Sequence, residues 1–302
     1  MKIVISGGTG FLGRPLAEAL NRDGHSLVVL TRGQPSPGTT IRRVTWQPDG
    51  SAGAWASEVD GSDAVINLAG ESIASRRWSE VQKNRILDSR VRATRSLCEA
   101  IHHAAAPPPV LLSGSAVGFY GSLDDQVVTE DTAAGDDFLA SVCLQWEAEA
   151  MRAASPRTRV VCIRTGLPLE RDGGALPAML PPFWFGAGGP VGSGRQYWPW
   201  IHRQDWIDLV RFALVNTAVV GPMNATGPQP VTNREFATAL GRAMHRPSFM
   251  PAPGLALKLM LGEMAQGLLL SGQRAVPTKA QKLGFKFKYG NLDAALAALF
   301  PR

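Results

Sequence analysis

Apolar and polar positions change rhythm along this chain in a regular way. Short, almost continuous apolar runs occupy residues 2–6, 26–30, 64–68, 110–114 and 159–164. Such runs read as strands buried on both faces of a parallel sheet. Residues 41–46 predict a further short strand, 33–40 a loop with two prolines and two glycines, and 48–53 a turn. Helical patterns lie between the runs, from about residue 11 to 22, over 79–103 and over 138–154. In the longest, Ile86, Val91, Leu97 and Ile101 recur at roughly helical spacing, and the prolines at 107–109 end it. Strand and helix thus alternate to about residue 165, which predicts an α/β fold: a Rossmann, doubly wound parallel sheet with helices on both faces.

The second half is more mixed. Residues 115–121 leave the sheet edge as a loop, and 124–137 are acidic and irregular. Residues 173–194 contain PPFWFGAGGPVGSG and read as a long loop, the kind that acts as a lid or binding segment. An aromatic stretch at 197–201 leads through 202–208 into a helix ending near Val215, and 220–225 reads as a last strand. Helices are expected at 231–243, 255–270 and 292–299, with an extended piece at 284–289. The expected division is a dinucleotide-binding domain, 1–166 plus about 201–225, and a small C-terminal substrate-side lobe, 167–200 and 226–302.

Composition narrows the class. With 302 residues, 45% of them hydrophobic, the chain is long enough to bury a sizeable core. Cys98, Cys143 and Cys162 are scattered and match no metal spacing, which fits a reducing cytoplasm and implies neither disulfides nor a metal site. The N-terminus enters a strand directly and does not read as a secretory signal, so a cytoplasmic location is expected. Residues 255–270 are broken by Lys258, Glu263 and Gln266, and predict an amphipathic or buried helix rather than a membrane span. No membrane partner is expected. The net charge of +6, mostly arginine, is either a solvated surface or an affinity for anions such as a dinucleotide phosphate. Nucleic acid is not an expected partner, because no clustered patch or reader motif is present.

The sharpest chemistry lies at the N-terminus. Gly7, Gly10 and Gly13, with Thr9, Phe11 and Leu12 between them, separate the first strand from the first helix. Glycines there allow a tight turn and close approach of a pyrophosphate, at which the helix points its free N–H groups. A free ribose 2′-hydroxyl calls for Asp or Glu after the second strand; this chain has Thr31 and Arg32. A guanidinium suits a 2′-phosphate, so the expected cofactor is NADP(H). The strand ending in Asn67, Leu68, Ala69 and Gly70 brings its backbone to the same carboxyl edge.

These motifs, with Ser113-Gly114-Ser115, Tyr120-Gly121 and Arg164-Thr165-Gly166, occur in an order that resembles the extended and atypical short-chain dehydrogenase/reductases, the NAD(P)-dependent epimerase/dehydratase group. Arg77-Trp78, Ser89-Arg90-Val91, Trp146-Glu147, Pro199-Trp200-Ile201-His202 with Asp205, and a tail holding Gln273-Arg274 and Gly284-Phe285 make it similar to the YfcH-type epimerase family proteins over essentially the whole chain. The resemblance implies that Asn67–Gly70 wall the adenosine and ribose, with Glu71 near a ribose hydroxyl and Ser113 alongside. It also implies that Leu167 and Pro168 lie by the nicotinamide carboxamide.

One departure matters. Catalytic relatives carry a Tyr, the general acid/base, and a Lys four residues later that lowers its pKa. Those positions hold Leu139 and Cys143 here, and no other Tyr-x-x-x-Lys exists. A position that often holds Asn in relatives is Arg90. Without the Lys, the cofactor ribose and phosphates need another cation, which Arg90, and less directly Arg85, can supply from the long helix. The alternative for both is ordinary surface charge. The remaining proton donors are Ser115, Tyr120, His202 or a water. Tyr120 has no cationic neighbour in sequence and would keep a pKa near ~10. His202 and Asp205 either orient each other or fix a loop to a helix. Trp184, Trp198 and Trp200 either line an apolar substrate pocket or form a lobe core. Two functions follow: an NADP(H)-dependent oxidoreductase or epimerase-like protein acting on a small carbonyl or alcohol, or a non-catalytic NADP(H)-bound scaffold or sensor, for which the cell-division label that some members of the subgroup carry implies an interaction role. A monomer or homodimer is expected.

Overall fold

The structure, a computed structural model, describes residues 1–33 and 41–301. Most of the loop expected at 33–40 therefore lies outside the described residues. Strands β1 (Lys2–Ser6), β2 (Ser26–Thr31), β3 (Arg42–Thr45), β4 (Ala64–Asn67) and β5 (Val110–Ala116) alternate with helices α1 (Gly13–Arg22) and α2 (Glu80–His103). A two-residue strand β6 (Val127–Val128), helix α3 (Phe138–Met151), and strands β7 (Arg159–Thr165) and β8 (Leu167–Leu169) follow. Then come α4 (Leu176–Trp184), β9 (Tyr197–Trp198), β10 (Trp200–His202), α5 (Arg203–Val215), β11 (Gly221–Ala225) and β12 (Val231–Thr232). The chain ends with α6 (Asn233–Met244), α7 (Gly254–Leu261), α8 (Glu263–Ala265), β13 (Arg274–Ala275), α9 (Thr278–Lys282) and α10 (Leu292–Leu299).

Seven strands form one parallel sheet in the order β11-β7-β5-β4-β1-β2-β3. Strand order reverses between β1 and β4, so the crevice at their carboxyl ends is the topological switch point where such folds take ligands. Local chemistry sets the helix starts. Ser79 caps α2 by accepting from the Gln82 N–H at 3.2 Å, and Asp137 caps α3 from Ala140 at 2.8 Å. One sheet face packs Ile3 and Ile5 against Leu16, Leu20, Trp206 and Val210 of α1 and α5. The other packs Val4 and Val28 against Leu97 and Ile101 of α2. Apolar side chains on both faces explain why these strands read as unbroken runs rather than alternations.

Outside the sheet, β8 pairs with β10, β9 with β12, and β6 with β13. A further core joins Leu180, Phe183, Trp198, Trp200, Phe236 and Leu296. Two expectations change here. The long loop at 173–194 contains α4, whose Leu176, Leu180 and Phe183 are buried at helical spacing. Its prolines at 177, 181 and 182 suggested a loop, but packing of that stripe outweighs them. The single helix expected at 255–270 is split at Gly262, where φ is +63°. The extended piece at 284–289 forms no strand, and α9 precedes it.

Candidate functional site

The glycine turn stands at the carboxyl edge of β1. Gly7 has φ +70°, and a Cβ there would lie 2.5 Å from the Leu68 carbonyl carbon. A Cβ on Gly13 would lie 2.2 Å from the Gly7 oxygen, so the turn tolerates no side chain at either position. The Gly10 N–H closes the turn onto Gly7 O at 3.0 Å. No side chain caps α1 and no acidic residue occupies its first turn, which leaves its N-terminal dipole open to an anion. Thr9 and Gly10 are exposed, Phe11 and Leu12 partly buried. Glycines 173 and 174 lie against the Phe11 ring, where Cβ atoms would come within 2.6 and 2.7 Å. At the end of β2, Thr31 Oγ1 accepts from the Gly33 N–H at 3.2 Å. Arg32 beside it is exposed, and among the described residues no carboxylate pairs with it.

The next wall is the exit of β4. Asn67 is fully buried and its side chain is engaged within the protein: Oδ1 accepts from Ser6 Oγ at 2.7 Å, and Nδ2 donates to Thr94 Oγ1 at 2.8 Å. It holds the turn in place, and the backbone from Leu68 to Gly70 faces the crevice. Arg90 crosses this wall. Its Nη1 donates to the carbonyls of Glu71 and Ile86, both at 3.0 Å. The guanidinium lies between Gly70, whose Cβ would meet Cζ at 3.2 Å, and the Trp146 ring, 5.2 Å away. Trp146 in turn presses on Gly114, where a Cβ would sit 2.9 Å from its ring. Burial pushes the Arg90 pKa down, with Glu71 pulling the other way, and among the described residues no carboxylate forms a close ion pair with it. A cation held this way fits an anionic ligand.

The corner at β5, α3 and β7 is built differently. Arg164 and Glu147 form a bidentate pair at 2.8 Å for each contact, almost entirely out of solvent. Ser115 Oγ donates to Glu147 Oε1 at 2.6 Å. Arg164 Nη1 donates to the Tyr120 hydroxyl at 3.0 Å, and that hydroxyl donates to Asn224 Oδ1 at 2.7 Å. The Asn224 amide continues to the Val276 carbonyl at 3.0 Å, and Glu130 receives the N–H groups of Asn224 and Lys279. Burial pushes the Tyr120 phenol up, against the pull of Arg164. Cys143 is buried, points its thiol at the Ala116 carbonyl and is pushed up to about 11 by that burial. Leu139 lies under the C-terminal tail: a Cβ on Gly267 would touch Trp78 at 2.8 Å and Leu139 at 3.7 Å.

The sequence profile of the NAD dependent epimerase/dehydratase family matches residues 3–225. The chain belongs to that family. A domain of unknown function, DUF1731, matches residues 252–299. The chloroplastic "Epimerase family protein SDR39U1 homolog" of Arabidopsis thaliana is 41% identical, over 99% of this chain and 86% of that protein. "Epimerase family protein YfhF" of Bacillus subtilis is 40% identical, over 99% and 98%. The crystal structure of human epimerase family protein SDR39U1 with NADPH superposes with a TM-score of 0.90 at 36% identity, covering 99% of both chains.

In this epimerase-family chain the sheet edge gathers Gly7 through Gly13, Arg32, Leu68 through Glu71 and Arg90. Ser113 is buried, 3.5 Å from the Asn67 amide. Leu167 and Pro168 leave the same edge in β8, paired with Trp200 and Ile201. Glu71 is fixed through its backbone, its N–H on Ser89 Oγ and its carbonyl on Arg90. Arg85 is exposed, and among the described residues nothing ties it to Arg90.

The catalytic candidates are not brought together. Tyr120 is 1% exposed and lies below the edge within the Arg164 network. His202 caps α5, accepting from the Gln204 N–H at 3.0 Å, and stacks on Tyr289 with centroids 3.9 Å apart. Asp205 does not orient it; that carboxylate accepts from the N–H groups of Lys288 and Tyr289 at 2.7 and 2.9 Å. Trp198 and Trp200 belong to the core, whereas Trp184 is exposed. Sequence reasoning missed the Arg164–Glu147 pair, although an arginine ending an apolar strand run was its signal.

Proposed function

We propose that this chain binds NADP(H) and transfers hydride to or from a small carbonyl or alcohol, without a Tyr–Lys proton relay. The observation that carries the reading is Arg32: an exposed guanidinium at the end of β2, without an acidic partner among the described residues, where an acidic residue would repel a 2′-phosphate. The remaining donors fit the rest of the dinucleotide. The glycine turn and uncapped α1 suit the pyrophosphate, and Arg90 supplies the cation that Cys143 does not. When bound, the nicotinamide supplies or accepts the hydride. Leu139 carries no exchangeable proton, the Cys143 thiol keeps its proton on the Ala116 carbonyl, and Tyr120 and His202 are turned to partners inside the protein. The proton is therefore assigned to water entering the crevice.

A second reading, an NADP(H)-bound scaffold or sensor, is favoured by the covering of Leu139 under Gly267 and Trp78. The two separate on one experiment. Protein denatured as purified, or after loading, should release NADP(H) in preference to NAD(H) under either reading. Turnover of that nucleotide with any member of a broad carbonyl and alcohol panel supports the enzyme. Retention of nucleotide with no turnover across the panel supports the scaffold.

A further inference from the structure

The segment between β8 and α4, residues 170–175, crosses the glycine turn. Its ends are fixed: Leu169 pairs with His202 through β8 and β10, and Leu176 of α4 is fully buried. Between these anchors Gly173 and Gly174 bring their backbone onto the Phe11 ring. A Cβ on Gly173 would lie 2.6 Å from the ring Cδ2, and one on Gly174 would lie 2.7 Å from Cε1. Those atoms belong to opposite edges of the ring, so the backbone lies across it. Gly174 also has φ +72°, a conformation that favours glycine. Phe11 itself stands between Gly10 and Gly13, in the turn that suits a pyrophosphate.

One side chain holds this strap in place. Arg203, the first residue of α5, pairs through Nη2 with Glu170 at 3.0 Å and through Nη1 with Asp172. Its Cζ lies 5.2 Å from the centroid of the Phe11 ring, and its side chain is only 15% exposed. Arg203 thus joins both acids of the strap to the aromatic ring of the turn. Without it, Glu170 and Asp172 would lose this cation beside an anion-binding turn, and their repulsion of a phosphate would favour an open strap. The other ties are lighter: the Asp172 side chain is half-exposed, and Arg171 Nη1 reaches the Leu299 carbonyl at 3.4 Å. We propose that Arg203 is a positioning residue that latches residues 170–175 across the glycine turn, so that NADP(H) enters and leaves when the latch opens. The proposal rests on the dinucleotide reading of that turn. A latch slows entry and exit together, whereas a residue that only adds a contact slows exit alone.

The test is stopped-flow NADPH fluorescence with the full chain. The wild-type association rate should level off at high NADPH, at the rate of latch opening. Displacement of bound NADPH by excess NADP+ gives the release rate. Arg203→Met should release NADPH at least about tenfold faster, and should also associate faster at high NADPH. Gly174→Ala should speed release as well, because the added methyl meets the Phe11 ring. Asp172→Asn should act in the same direction and less strongly. Thermal unfolding followed by circular dichroism reports the fold of each variant; if Arg203→Met does not fold, the other two variants decide. Wild-type association that stays linear in NADPH, or release from the folded variants within about twofold of wild type, overturns the latch and leaves the dinucleotide reading standing. Failure of the wild-type chain to bind NADPH overturns both.

Discussion

Around β1 and β2 the carboxyl edge of the sheet leaves its polar groups open. The start of α1 is uncapped, its turn is stripped of side chains, and Arg32 has no acidic neighbour among the described residues. Around β5 and β7 the same edge spends its polar groups inward. Ser115, Glu147, Arg164, Tyr120 and Asn224 bond to one another in series and leave no free acid for a substrate. Open donors face solvent and are free to exchange water for an anion, whereas a closed network stabilises the fold and anchors the tail through Val276 and Lys279. On the proposed function, one sheet edge carries a binding half and a structural half.

The strongest way to break the comparison is Arg164→Met. It leaves Glu147 buried without its partner, so urea unfolding should show a loss of roughly 3–5 kcal/mol. A near-neutral result would mean the corner is not the structural anchor described here. Next is Arg32→Ala, which should weaken NADPH binding at least about tenfold by fluorescence titration and leave NADH nearly unchanged. In the same assay Arg90→Ala should weaken NADPH by about 1 kcal/mol or more, and an unchanged affinity would remove Arg90 from the site.

Tyr120→Phe removes the donor to Asn224 and an acceptor of Arg164. It should lower stability by about 1 kcal/mol and leave NADPH affinity and any turnover intact. Turnover lost without loss of stability would return Tyr120 to catalysis. The smallest effect concerns His202, whose pKa burial holds below the ordinary value. The unfolded chain then binds this proton first, so its contribution is full above about pH 6.5 and declines as pH falls below that. His202→Asn keeps an oxygen for the Gln204 N–H, and its Tm should fall less than wild type between about pH 7 and about pH 5.

The amino-acid sequence by itself determined the main sheet. Buried parallel strands are continuous apolar runs, and glycines at 7, 10 and 13 admit few other backbones, so both are local signals. It also determined the absence of a Tyr–Lys pair, because that motif is two residues four apart on one helix. Tertiary structure decided the rest. The prolines of 177–182 argue locally for a loop, yet Leu176, Leu180 and Phe183 find a core to bury in and make a helix. Residues 255–270 carry an amphipathic pattern, but only three dimensions show that no residue of α7 is fully buried. Glu147 and Arg164 are seventeen residues apart on different elements, and Tyr120 and Asn224 are more than a hundred apart. Such pairs form because separate strands end at one sheet edge, where unpaired polar groups would be costly to bury. Local pattern carries no trace of that juxtaposition.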